Sequence, residues 1–279
     1  MVIAARGGTS TVLRAVATDT GAHVAIKIID PADPDRARRE IEALRRVAGT
    51  AGIIDLLGWG RLADGRTYLV SPFLSRGSLA SETTRRGRYD PAAVITIGRQ
   101  IGEALAAAHQ HGVLHRDIKP SNIMIGDDGR YRLIDFGTAR TSQADLTDQT
   151  DQTFSLTVMY SAPEVIDGAR GDERSDVYSL GLTLYAVLRG EQPFEPAASV
   201  SLTRLVNEIA VTPLPNLATF GVPAPLADVI DRATAKDPGR RYQSAAEFVD
   251  ALDRLGSTLS SPLRDADDHV GNRVHNFGP

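Results

Sequence analysis

Apolar positions along the chain follow two regimes that change near residue 79. Before it, short apolar runs alternate with turn signals. Residues 11–17 and 23–29 are such runs, separated by Asp19-Thr20-Gly21, which reads as a hairpin. Between 35 and 47 the period becomes helical, with Ala37, Ile41, Leu44 and Ala48 recurring among Arg and Glu. Residues 53–60 and 66–74 read as a second antiparallel pair closed by Asp64-Gly65, and Ser75-Arg76-Gly77-Ser78 follows as a turn-rich break. Beyond it the pattern is helical. Residues 91–111 carry Val94, Ile97, Ile101, Leu105 and Ala108 on one stripe, ended by Gly112. Short strands and loops fill 113–135, residues 138–156 are polar, and helices are expected at 174–189, 201–210, 225–235 and 243–255. The pattern predicts an α+β, bilobal architecture. A small antiparallel β-sheet lobe with one main helix (1–73) leads through a hinge at 71–78 to a larger, mainly helical lobe (79–256). The polar tail, 257–279, has no periodicity and is expected to be mobile.

Composition then removes whole classes of function. The 279 residues are 42% hydrophobic and 24% charged, ordinary globular values. Thirty-one basic residues against thirty-five acidic ones give a net charge of −4, which argues against a nucleic-acid or anionic-lipid partner. The absence of Cys excludes disulfides, thiolate metal sites and Cys nucleophiles, and fits a reducing, cytoplasmic location. The longest apolar-rich stretch, 177–188, is interrupted by Tyr, Ser, Gly and Thr and falls short of the roughly 20 residues that span a bilayer. No membrane segment and no signal peptide are expected. Lys occurs only at 27, 119 and 236, as though kept for places that need a compact ammonium rather than a planar fork.

The chemistry concentrates in a few short strings. His115-Arg116-Asp117-Ile118-Lys119-Pro120-Ser121-Asn122 offers a carboxylate to orient a hydroxyl, a Lys two residues on to neutralise a phosphoryl group, and an amide to hold a metal. Asp135-Phe136-Gly137 follows an apolar run, placing a hard oxygen ligand at a strand end. Val24-Ala25-Ile26-Lys27 puts a lysine in an apolar strand, and Glu40 shares a helix face with Ala37 and Leu44, so it points toward the core while Glu42 points elsewhere.

In this order and spacing, over about residues 5–256, the strings resemble the protein kinase family, and the Gly-Gly-Thr-Ser loop, Lys-Pro-Ser-Asn and Arg-Tyr-Gln-Ser-Ala resemble its bacterial Ser/Thr members. The resemblance implies ATP as cofactor with Mg²⁺, or Mn²⁺ in its place, held by Asn122 and Asp135. It implies that Lys27, held by Glu40, grips the α- and β-phosphates, that Asp117 takes the proton of a protein Ser or Thr hydroxyl, and that Lys119 offsets charge on the γ-phosphate. The glycine loop is irregular: Gly7 and Gly8 are present, Ser10 stands at the third glycine position and Ala5 at the first. The base would sit between Val12 and Ala25 above and Met124 below. At the hinge, Pro72 would offer its carbonyl and Leu74 its N–H, and Ser71, where the family often has a larger residue, predicts a roomy back pocket.

Further along, Thr157-Val158-Met159-Tyr160-Ser161-Ala162-Pro163-Glu164 resembles the end of an activation segment, with Leu156 where Gly is usual. The resemblance pairs Glu164 with Arg241, has Asp176 brace the catalytic loop and has Thr157 shape the acceptor site. Arg116 beside Asp117 implies an anion to be bound, and Thr150, Thr153 and then Thr147 are the expected phosphosites, filled in trans by a second copy of the chain. Two other readings stay open. Ala5, Leu156 and a first strand that looks almost absent fit a pseudokinase or nucleotide-sensing scaffold, and a small-molecule phosphotransferase would share the architecture without the Ala-Pro-Glu platform. With neither a membrane helix nor a sensor domain, the chain reads as a soluble kinase or a fragment.

Overall fold

In the computed structural model, the described residues are 2–7, 10–30, 34–136, 158–194 and 202–259. Strand β1 (Val2–Gly7) pairs antiparallel with β2 (Ser10–Val16), and β2 with β3 (His23–Ile29). β4 (Gly58–Arg61) and β5 (Thr67–Pro72) complete a sheet in the order β1-β2-β3-β5-β4. The first strand is therefore not almost absent. Its six residues are held by ladder bonds to β2, from Val2↔Arg14 to Gly7↔Ser10, with an irregularity between Ile3 and Ala5. Pairing supplies what the weak strand propensity of Ala4-Ala5-Arg6 does not.

Register decides which side chains share a face, because cross-strand partners point the same way. Lys27 lies between Val12 and Leu69, and two residues along the same face Ala25 lies between Arg14 and Ser71. Helix α1 (Pro34–Arg46) lies against β5, with Ala37, Glu40 and Leu44 buried and Glu42 exposed. Residues 53–56 do not extend β4 as expected, although Leu57 N still donates to Val70 O in β5 (2.8 Å). Ile54 N donates to Leu133 O (3.0 Å) and Leu133 N to Gly52 O (2.8 Å), so this segment gives its backbone to the other lobe and buries Ile53 and Ile54 there.

The second lobe is built from α2 (Leu79–Arg86), α3 (Pro91–Gln110), α4 (Pro163–Ile166), α5 (Glu173–Arg189), α6 (Leu202–Val211), α7 (Ala224–Ala233) and α8 (Ala245–Leu259). Polar α2 has little periodicity and forms behind a reciprocal cap between Ser78 and Ser81. Asp90 caps α3 with Pro91 at its first turn. α3 packs against α5 and α8 at Gly98 and Gly102, where a Cβ would meet Leu252 and Leu184 at 2.7–2.8 Å and Val249 at 2.5 Å. Asp172 caps α5, which is buried at every residue from Ser175 to Leu188. A short hairpin, β6 (Ile123–Ile125) and β7 (Tyr131–Leu133), lies between the lobes. The main buried apolar cluster runs continuously from Ile29 and Leu44 in the first lobe through Ile53, Leu133 and Phe136 to Ile101 and Leu252 in the second.

Candidate active site

The hairpin explains why two distant polar residues meet. Ile123 pairs with Leu133, and one step outward Ile134 N donates to Asn122 O (3.0 Å). Asn122 and Asp135 therefore stand at the open ends of one hairpin, thirteen positions apart in the chain but adjacent in the ladder. Asp135 has φ 64° and Arg116 φ 66°, the two non-glycine residues with positive φ among those described. Such conformations persist where surrounding contacts over-determine them.

Lys27 crosses from the sheet to this hairpin. Its Nζ donates to Glu40 Oε1 (2.7 Å) and Oε2 (2.9 Å) and to Asp135 Oδ1 (2.8 Å). Burial works against the ammonium, but Asp135 and Glu40 outweigh it and hold Lys27 above the usual lysine value. The same burial pushes Glu40 up, against the pull of Lys27. Burial works to raise Asp135 as well, yet the attraction and hydrogen bond of Lys27 keep it below the ordinary carboxylate value.

Asp117 heads a second cluster. Its Oδ2 accepts from Asn122 Nδ2 (2.9 Å) and is paired with Lys119 Nζ (2.9 Å), while its carbonyl also accepts from Asn122 Nδ2 (2.8 Å). The loop beneath is held by buried Asp176, whose carboxylate accepts from His115 N (2.9 Å) and Arg116 N (2.8 Å). Burial works to raise Asp176, but His109 and these donors hold it below the usual value. His109 was not singled out from the sequence. It lies beside Ala108 on the buried stripe of α3, and its Nε2 is 2.9 Å from Asp176 Oδ2. Its one sequence signal is a polar residue where the period asks for an apolar one. The His115 ring reaches Ile134 O through Nε2 (2.9 Å) and stacks edge-on to Phe136 (4.6 Å), tying the loop to the hairpin.

Arg241 and Glu164 meet in a two-pronged pair, both contacts 2.8 Å, and Ser175 Oγ donates to Glu164 Oε1 (2.7 Å). Burial works to raise Glu164, while hydrogen bonds from Arg241 and Ser175 and the charge of Arg241 bring it below its ordinary value. Val12, Ala25, Ser71 and Met124 are half-buried, as the lining of an open cleft would be, and the first three share the face of Lys27. Pro72 ends β5 opposite Val24, with Leu74 two residues on. Gly7 pairs with Ser10 at the end of the β1–β2 ladder. Gly8, Thr147, Thr150, Thr153, Leu156 and Thr157 lie outside the described residues.

The donor set fits a hard divalent cation shared with a phosphate ligand. Asn122 turns its amide nitrogen to Asp117, leaving its carbonyl oxygen, the metal-binding end of the amide, without a hydrogen-bond partner among the described residues. No group of three or more His, Cys, Asp or Glu among those residues makes a metal cage. Two oxygen donors alone suit Mg²⁺, which keeps waters and takes its remaining ligands from phosphate.

A β-sheet lobe above a helical lobe, with a lysine clamped between a helix carboxylate and a hairpin carboxylate, defines a class. The chain belongs to the protein kinase family, and residues 4–251 match the model for the protein kinase domain. Among its relatives is the serine/threonine-protein kinase PknK of Mycobacterium bovis, 36% identical over 251 residues, which span 88% of this chain and 22% of that protein. Another is the serine/threonine-protein kinase PknL of Mycobacterium tuberculosis, 34% identical over 267 residues, spanning 92% of this chain and 65% of the relative. The crystal structure of Rad53 1-466 in complex with AMP-PNP superposes with a TM-score of 0.75 at 29% identity, covering 91% of this chain and 63% of that one. Among the described residues no helix is long and apolar enough to cross a membrane.

Proposed function

We propose that the chain is an ATP-dependent serine/threonine protein kinase whose catalytic domain spans residues 1–256. The observation that carries this reading is the single line of groups across the cleft. Lys27 joins Glu40 to Asp135, Asp135 adjoins Asn122 through the hairpin, and Asn122 holds Asp117 beside Lys119.

Each residue has one task. Lys27, kept charged by Glu40, grips the α- and β-phosphates, and the face bearing Val12 and Ala25 covers the base. Asn122 and Asp135 would hold Mg²⁺, which when bound neutralises phosphate charge. Asp117 orients the acceptor hydroxyl and takes its proton, while Lys119 offsets charge on the transferring group. Asp176 fixes the loop through backbone N–H groups, so Asp117 needs no reorganisation at the moment of transfer. The nucleotide analogue bound to Rad53 and the names of PknK and PknL support nucleotide use and Ser/Thr acceptors. Control by phosphorylation of Thr150, Thr153 or Thr147 in trans, with Arg116 receiving the phosphate, belongs to the same proposal.

The test is incubation with labelled ATP, Mg²⁺ and a generic protein substrate, followed by phosphoamino-acid analysis. Phosphoserine and phosphothreonine are expected. Phosphotyrosine alone would refute the acceptor class, and nucleotide binding without transfer would replace the enzyme by a nucleotide-sensing scaffold. Equal phosphate on the chain and on Asp117→Asn, read by mass spectrometry, would remove autophosphorylation.

A further inference from the structure

The stretch between Arg140 and Arg170 contains no Lys or Arg. Within it Asp145-Leu146-Thr147, Asp148-Gln149-Thr150 and Asp151-Gln152-Thr153 repeat one three-residue unit in tandem. A period of three matches neither the 3.6 of a helix nor the 2 of a strand, so neither kind of buried face accounts for it. Each unit sets an acid two residues before a hydroxyl. The other Ser and Thr residues between Thr138 and Ser161 lack that acid. Two residues before them stand Ala139 for Thr141, Arg140 for Ser142, Thr153 for Ser155 and Ser155 for Thr157.

The acceptor side of the site has the opposite charge. From His115 to Asn122 the loop carries Arg116 and Lys119 against a single acid, Asp117, whose side chain is 11% exposed and already paired with Lys119. Arg116 is exposed, and so is Ser121, a neutral residue one position before Asn122. Across the cleft, Arg36 lies one turn before Glu40 on α1, near enough for its charge to act on both Glu40 and Asp135. A chain of net charge −4 thus presents a cationic rim where an acceptor segment must pass.

We propose that the acceptors of this kinase are Ser or Thr residues with Asp or Glu two positions before them, its own three repeats among them. The inference rests on the phosphotransfer proposed above and adds the sequence class of the acceptor. The acid meets the cationic rim while the hydroxyl reaches Asp117. The hydroxyl oxygen bonds to the γ-phosphorus and the bond from that phosphorus to the bridging oxygen breaks. ADP leaves with the electron pair, and the hydroxyl proton passes to Asp117.

Three peptides test this with the full chain and Mg-ATP, beside a generic protein substrate. One is residues 144–155 unchanged, the second carries Asp145→Asn, Asp148→Asn and Asp151→Asn, and the third exchanges each Asp with the residue after it, so that the acid directly precedes its Thr. The unchanged peptide is expected to show a kcat/KM at least about tenfold above both others. Its advantage over the Asn peptide shrinks as salt rises from about 0.05 to 0.5 M, because screening shortens the reach of charge. Equal rates for the unchanged and Asn peptides, or no labelled peptide beside a labelled protein, overturn the proposal. Equal rates for the unchanged and exchanged peptides overturn it too, since net charge alone would then decide. In each of these cases the labelled protein leaves the kinase reading standing. If neither protein nor peptide is labelled, the kinase reading fails and takes this inference with it.

Discussion

Arg241→Met keeps most of the side-chain volume and removes a guanidinium that is 1% exposed. All five of its N–H donors are used: two on Glu164, and one each on the carbonyls of Ala235 (2.7 Å), Lys236 (2.9 Å) and Arg174 (3.2 Å). Without it, Glu164 keeps the Ser175 hydroxyl and three carbonyls lose a donor. Breaking one side of a buried pair costs about 3–5 kcal/mol. The Glu164 side chain is 22% exposed and partly hydrated, so the lower end applies, about 3 kcal/mol. In thermal unfolding of a chain this size that is a fall of about 6–12 °C. Urea unfolding should show a lower midpoint at unchanged slope. If the orphaned charge is the main cost, Glu164→Gln in the Arg241→Met background is no worse than the single change, a coupling of about 2 kcal/mol. The pH dependence has a fixed sign. Glu164 is held below its unfolded value, so its contribution is complete above the ordinary carboxylate range and is lost as pH falls through the folded value. Arg241→Met should flatten that acid limb. A cost under about 1 kcal/mol, or additivity in the double variant, would refute the reasoning.

Asp117→Asn should lower kcat by about 10²–10⁴-fold in a phosphotransfer assay while nucleotide affinity, read by calorimetry, holds. Lys27→Met should abolish measurable nucleotide binding in the same titration and leave Glu40 and Asp135 facing each other without their shared cation. Gly190→Ala should cost about 1–2 kcal/mol in urea unfolding, since φ is 72° there and an added Cβ would meet Arg88 N at 2.9 Å.

The local period of the chain was enough to place β3, α3 and most of the helices of the second lobe, because apolar spacing reports directly which face is buried. The strings that mark the family were legible too, since their residue types are chemically demanding and their order is long. Elements whose stability comes from a distant partner were not. β1 exists through its ladder to β2, Gly52 and Ile54 bond to β7 instead of lengthening β4, and α2 depends on its Ser78 cap more than on any stripe.

The same division runs through the site. The choice of Lys27, Asp117, Asn122 and Asp135 as the proposed reactive set rests on their neighbours along the chain. That Asn122 stands beside Asp135 follows from a hairpin register, and that Lys27 has two carboxylate partners follows from how α1 and the hairpin dock around the sheet. His109 beneath Asp176 left a single faint linear sign, a polar residue on the apolar stripe of α3, and nothing along the chain named its partner. Spacing along a strand or helix fixes which way a side chain faces, whereas the charge and solvent it meets are set by segments tens of residues away, and those exist only once the chain has closed on itself.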